Sequence, residues 1–227
     1  MKKKNTAGLI GLILVLIADA AMVCLEARSL WNIWEGTGKR MFIYYTQDSN
    51  ILAMVICAIS VVCSLICLAR GKFARPEWIR RLKHIGASCL AVTLIVEMCV
   101  LVPMNCRRLS DFPREFRYGM LYGEMLYMHT ICPLLMIFSF LFLEPGKKMR
   151  GNVYIALVPT LIYGGISLYM NYIRAYIGPY PFLYIYIQPV YMTIVWMIVI
   201  MGGAEMIALG MHALNGLVTK LYGRIAG

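Results

Sequence analysis

The sequence predicts an all-α polytopic membrane protein of six transmembrane helices, with both ends on the cytoplasmic side. Three observations predict it. The 227 residues are 61% hydrophobic, with a mean hydropathy of +0.71. Only 15% are charged, against about 25% in soluble domains. The apolar residues fall into six blocks, each about 20 residues long, and at 1.5 Å rise per residue such a block crosses a hydrocarbon core of roughly 30 Å.

The blocks run over residues 7–25, 49–68, 84–104, 120–143, 152–172 and 189–211. The second could begin several residues earlier. Their apolar character is continuous rather than alternating, which selects helix over barrel strand. Lys2-Lys3-Lys4 and the small residues around Ala18–Ala21 resemble a secretory signal. The apolar run continues to Leu25, so the segment is expected to remain as a helix. No connection is long enough for a second domain, and residues 1–227 are read as one domain without an internal repeat. Gly164-Gly165 and Gly202-Gly203 are expected to let helices approach closely.

Lys and Arg near helix ends set orientation. The N-terminus, the second-to-third and fourth-to-fifth connections and the C-terminus carry 14 of the 22. The richer side is read as cytoplasmic, and a prokaryotic plasma membrane as the location. Arg70, Lys72, Arg75, Arg80, Arg81 and Lys83 are expected to form one basic loop against anionic lipid headgroups. The net charge of +11 therefore needs no nucleic acid, and no recognition element accompanies it.

Tyrosine and tryptophan gather on the other side: Trp31, Trp34, Tyr44, Tyr45, Tyr118, Tyr122, Tyr172, Tyr176, Tyr180 and Tyr184. They read as an interfacial belt, or as a lid over an outward-facing pocket. Seven of the eight cysteines lie within helices, where a free thiol acts as a small hydrophobe. Only Cys106 is expected to meet the outer solution. The three histidines fall in different elements, so no metal site is expected, and no cofactor motif is present.

Ionisable groups inside hydrocarbon are costly, about 2.5–3.5 kcal/mol or more at a helix centre, and each needs a reason. Asp19, Glu97, Glu124 and His129 are expected in the outer half, and Glu205 in the inner half. His129 stands out because an imidazole suits general base work. Pro133 cannot donate to the His129 carbonyl four residues back, so a kink is expected there. A structural histidine bonded to a neighbouring helix is the competing explanation. Thr46 lies in Tyr45-Thr46-Gln47-Asp48-Ser49-Asn50, at the outer start of the second helix. Thr46, Asp48, Ser49 or Asn50 could cap it. The same place offers unpaired N–H groups beside a hydroxyl nucleophile. If the helix starts earlier, Thr46 and Asn50 share a face at i, i+4.

Three segments carry a resemblance: Tyr45-Thr46-Gln47-Asp48-Ser49-Asn50, Met128-His129-Thr130-Ile131-Cys132-Pro133 and Gly178-Pro179-Tyr180-Pro181-Phe182-Leu183. With six helices in the same order, the chain resembles the androgen-induced and androgen-dependent tissue-factor-pathway-inhibitor-regulating family of integral membrane hydrolases, in a prokaryotic branch. The resemblance implies a threonine nucleophile at Thr46 and a histidine at His129. It implies cleavage of lipid esters, such as fatty-acid esters of hydroxy fatty acids. Tyr180, Pro181 and Phe182 match a loop expected to wall the site.

The leading expectation is thus a membrane lipid esterase without metal or cofactor, its partners being membrane lipids and the ester substrate. Asn50 and Gln47 are oxyanion candidates. Asp19, Glu97 and Glu124 are candidates to orient His129. A proton-coupled transporter or channel using Asp19, Glu97, His129 and Glu205, and a non-catalytic lipid- or partner-binding membrane protein, are the alternatives. The oligomeric state cannot be read from these residues.

Overall fold

Burial is inverted relative to a water-soluble protein. Ile17, Val62, Ile198 and Met206 are exposed, whereas Asp19, Asn50, Ser60 and Lys83 are fully enclosed. Apolar side chains that face outward along whole helices, around polar side chains held inside, match a hydrocarbon solvent. The computed structural model describes residues 2–144 and 153–225.

Six helices are long and apolar enough to cross a membrane: α1 (Thr6–Ile43), α2 (Tyr45–Ala69), α3 (Glu77–Asn105), α4 (Leu126–Leu143), α5 (Val153–Tyr172) and α6 (Val190–Gly223). No strand occurs among the described residues. The chain is a multi-pass membrane protein. Asn152, read as the start of the fifth helix, and the basic residues between the fourth and fifth helices lie outside the described residues.

Four boundaries differ from those read in the sequence, and each moves a functional group. Helical structure in α1 runs from Lys2 to Thr37, well past Leu25. The apolar block marks only the part in hydrocarbon, and the helix goes on beyond it. Asp19 therefore lies toward the end of the bundle that carries residues 70–83, here called the basic end, and not in the opposite half. The second helix begins at Tyr45, capped by no side chain. Thr46 is thus inside the first turn, on one face with Asn50.

The third helix begins at Glu77, so Arg80, Arg81 and Lys83 belong to α3 and not to a loop. Arg80 and Lys83 are buried. The fourth starts at Leu126, because Gly123 adopts φ +55 and breaks the run. Residues Arg117–Leu121 form a separate wide turn before it, folded back against the start of α4.

Pro133 leaves its mark as a wide helical turn over Leu126–Ile131, in which the Cys132 N–H donates to the Tyr127 carbonyl. The i→i+5 pattern absorbs the donor that proline lacks. The core packs Met22, Ala53, Cys57, Leu90, Cys132, Met136 and Phe140 between α1, α2, α3 and α4. The α6 helix is tied on by His84 Nε2 to the Ala208 carbonyl at 3.0 Å and by the Asn215 amide donating to the Phe140 carbonyl at 2.8 Å. The glycine pairs are not tight contacts. A Cβ at Gly165, Gly202 or Gly203 would meet nothing within 4 Å.

Candidate active site

A helix leaves its first N–H groups without intrahelical partners. In α2 the first such bond runs from the Asp48 N–H to the Tyr44 carbonyl, 3.3 Å. The Tyr45, Thr46 and Gln47 N–H groups precede it. Thr46, in this first turn, is buried, and its Oγ1 lies 3.2 Å from His129 Nε2. His129 Nδ1 lies 2.6 Å from the Gly119 carbonyl oxygen. A carbonyl only accepts, so Nδ1 carries the proton and Nε2 presents its lone pair to the Thr46 hydroxyl. That is the tautomer a general base requires.

The fold-back at Gly123 creates this geometry. It brings the Gly119 carbonyl onto His129 and the Met120 carbonyl onto the Thr130 hydroxyl, 2.7 Å. Gly119 is also the residue the space allows. A Cβ there would stand 2.7 Å from Glu97 Oε1 and 3.1 Å from Val102 Cγ2. Glu97 sits in a wide turn of α3 over Glu97–Leu101, and its Oε2 lies 3.9 Å from His129 Nε2. It faces the nitrogen that meets Thr46, not the one bonded to Gly119. The orienting group is a backbone carbonyl, and Glu97 is placed to pair with an imidazolium once one forms.

The other candidates are elsewhere or act otherwise. Asp19 is ion-paired with Lys83 at the basic end. Glu124 accepts from the Asn32 amide at 2.8 Å, on the α1 side. The Asn50 amide donates to the Thr46 carbonyl at 2.7 Å and to the Met128 carbonyl at 3.3 Å. It ties α2 to α4, and its donors are not free to meet an oxyanion. Ser49 adds a bond to the Thr46 carbonyl at 3.0 Å and one with Thr93 at 2.8 Å. Gln47 is buried, with its Oε1 unbonded within the protein. Glu205 is half-buried on α6.

Tyr180 and Phe182 are buried and stacked, ring centroids 5.2 Å apart, with Pro181 between them in a short helical turn. Burial pushes the Tyr180 phenol up to about 12, and the Thr46 hydroxyl with the Thr46 and Tyr45 N–H groups acts in the opposite direction. The phenol is therefore neutral and able to donate, at the amino end of α2. The aromatic set divides accordingly. Trp31, Tyr118, Tyr122 and Tyr172 are exposed as a belt would be, while Tyr45 and Tyr180 close the site.

Thr46, Glu97, Tyr180 and Phe182 line one cavity with Val96 of α3, Gly164 of α5 and Met201 of α6. Sequence reasoning missed Gly119 and gave Gly164 only a helix-packing role. Tyr45 was read only as part of the aromatic set; its hydroxyl bonds Thr160 at 2.8 Å and fixes α2 to α5. Among the described residues, no three His, Cys, Asp or Glu side chains converge as a metal site would need. The arrangement can take a proton from a hydroxyl and hold charge beside the Tyr180 phenol, which the Thr46 and Tyr45 N–H groups hold. Comparison with models of known protein families, with curated protein sequences and with solved structures gave no match.

Proposed function

We propose that this chain is an integral membrane hydrolase of lipid esters, with Thr46 as nucleophile and His129 as general base. The observation that carries the reading is the 3.2 Å approach of Thr46 Oγ1 to His129 Nε2, with His129 Nδ1 held by the Gly119 carbonyl. The resemblance of the 45–50, 128–133 and 178–183 segments to a family of membrane threonine hydrolases supports it.

In this reading His129 Nε2 takes the Thr46 proton as Oγ1 attacks the ester carbonyl. The tetrahedral oxyanion is held by the Tyr180 hydroxyl, whose oxygen is in turn held by the Thr46 and Tyr45 N–H groups. The imidazolium pairs with Glu97 and then protonates the leaving alkoxide. The resulting acyl-enzyme is opened by water, which gives its proton to His129. The fatty acid leaves and Thr46 recovers its proton. The sum is ester plus water to acid plus alcohol.

The lysine and arginine asymmetry favours a site in the outer half of the bilayer, both ends in the cytoplasm, in a prokaryotic plasma membrane. Fatty-acid esters of hydroxy fatty acids and related lipid esters are the substrate class the resemblance favours.

Covalent labelling by a fluorophosphonate, mapped by peptide mass, tests this. Wild type should be labelled at Thr46, and Thr46→Ala and His129→Ala should lose the label while keeping their helical spectrum. Thr46→Ser should keep it. Folded wild type that takes no label and turns over no lipid ester would overturn the proposal, and substrate flux in proteoliposomes would then become the relevant assay.

A further inference from the structure

Glu26 follows Leu25, where the first apolar block ends, but α1 continues past it and encloses it completely. Neither of its oxygens accepts from an N–H or O–H group within the protein, and the Cys132 thiol stands beside it. Other buried carboxylates have a basic partner. Asp19 has Lys83, Glu144 has Arg75, and Glu97 stands beside His129. Arg28, the cation nearest to Glu26 in sequence, is exposed and lies over the Tyr127 ring. An ionised carboxylate so enclosed is costly unless a positive charge meets it.

Other unbonded oxygens share its level in the bundle. Cys57 Sγ lies 3.8 Å from Asp19 Oδ1, which fixes the register of the antiparallel α1 and α2. Seven residues on along α1 and seven back along α2, each about 10 Å, bring Glu26 level with Asn50. Three more bring Ser29 level with Gln47. Contacts with α4 agree. The Asn50 amide donates to the Met128 carbonyl, and Cys132, beside Glu26, is one turn on. All four side chains are buried. Asn50 Oδ1, Gln47 Oε1 and Ser29 Oγ are unbonded, like both Glu26 oxygens. Apolar packing closes the layer on both sides, with Met22, Ala53 and Cys132 toward the basic end and Leu30 and Met128 toward the other.

A proton does not satisfy this set. On Glu26 it supplies one donor and the Ser29 hydroxyl a second, against three remaining acceptors: the other Glu26 oxygen, Gln47 Oε1 and Asn50 Oδ1. One cation meets them all, and oxygen ligands suit a hard ion. A single carboxylate balances a single positive charge, whereas a divalent ion would keep an uncompensated charge in a low-dielectric interior.

We infer that Glu26, Asn50, Gln47 and Ser29 form a buried site for a monovalent cation, sodium, between α1 and α2. Two helices packed side by side leave room for the smaller of the common monovalent ions. Gln47 lies in the first turn of α2, so the ion enters from the Thr46 end. The Asn50 amide also donates to the Thr46 carbonyl at 2.7 Å, so an ion on Asn50 Oδ1 stiffens the turn that carries Thr46. The site stands whether or not Thr46 is a nucleophile.

Equilibrium binding of radioactive sodium to the full chain in nanodiscs of neutral lipid, with choline holding ionic strength constant, tests the site. Wild type should bind one sodium per chain, saturably. Its melting temperature should rise with sodium and not with choline, as a ligand of the folded state requires. Glu26→Gln, equal in size but uncharged, should lose both the binding and the rise. Gln47→Leu should weaken binding about tenfold, no less than the loss of an outer partner costs a metal site. That variant keeps Glu26, so it reads the site even if Glu26→Gln folds poorly. No saturable sodium binding to folded wild type, or binding unchanged in both variants, would overturn the site. So would a wild type whose melting temperature ignores sodium and rises on acidification, because Glu26 then takes a proton instead.

Discussion

Thr46 and His129 are 83 residues apart in the chain, yet their side chains meet at 3.2 Å. What makes the contact useful is the third group, the Gly119 carbonyl on Nδ1. Residue type alone singles out the hydroxyl and the imidazole. It cannot single out a backbone oxygen, because every residue has one. Nor can it rank three carboxylates: Glu97 stands beside His129, whereas Asp19 and Glu124 are engaged elsewhere. The Gly119 assignment is testable. Gly119→Ala puts a Cβ 2.7 Å from Glu97 Oε1, so either the carboxylate or the Gly119 backbone must shift. Labelling of Thr46 should slow about tenfold, roughly 1.4 kcal/mol in the barrier, with the helical spectrum unchanged. The dependence of labelling on pH should change as well. In wild type labelling rises as the imidazole loses its proton, and a ring released from Gly119 is free to rotate. An unchanged rate and profile would mean that Gly119 does not set the imidazole.

At the scale of elements, the six apolar blocks were legible and their ends were not. Hydropathy reports where hydrocarbon is, and helices continue past it wherever backbone bonds can be made. That is why α1 runs beyond Leu25 and α3 takes in Lys83. The break at Gly123 was hidden because the residues around it are apolar enough to read as one helix. The connection between α5 and α6 was legible only as a motif, and its anchoring was not. Asn171 donates to the Gly178 carbonyl at 2.7 Å and accepts from the Gly178 N–H at 3.0 Å. Both residues are buried. This bidentate clamp holds the start of the segment that delivers Tyr180 and Phe182 to the site. Asn171→Ala leaves two buried backbone groups unpaired, at about 1–3 kcal/mol each. Proteolysis between residues 174 and 188 should accelerate, and the melting temperature should fall. If neither changes, the segment is held by its aromatic packing instead.

Across the whole molecule, two buried charged clusters have different characters. At the Thr46 end, Glu97 lines a cavity, and His129 stands behind Thr46 and Glu97. At the basic end, Asp19 and Lys83 pair with no exposure, Lys83 Nζ reaches Ser139 Oγ at 3.0 Å, and Arg75 joins Glu144 and donates to Ser60 at 2.7 Å. The set joins α1, α2, α3 and α4 and sums to zero formal charge. The sequence shows these residues as a basic loop, because composition cannot reveal that a carboxylate two helices away will neutralise a lysine. A balanced, internally bonded set is expected to act as a brace. Lys83→Met leaves the Asp19 carboxylate with only Arg75, 3.8 Å away, and breaking a buried pair this way removes about 3–5 kcal/mol. Asp19→Leu combined with Lys83→Met removes both charges, leaves Arg75 with Glu144, and should recover most of the lost stability, as paired apolar replacements do. The decisive readout is the labelling of Thr46 per folded molecule. For a brace it equals wild type in the double variant, because stability has been restored and the site is untouched. For a proton path to the site it collapses in a protein that is fully stable. The second result would move these four residues from architecture to mechanism and revive the transport alternative.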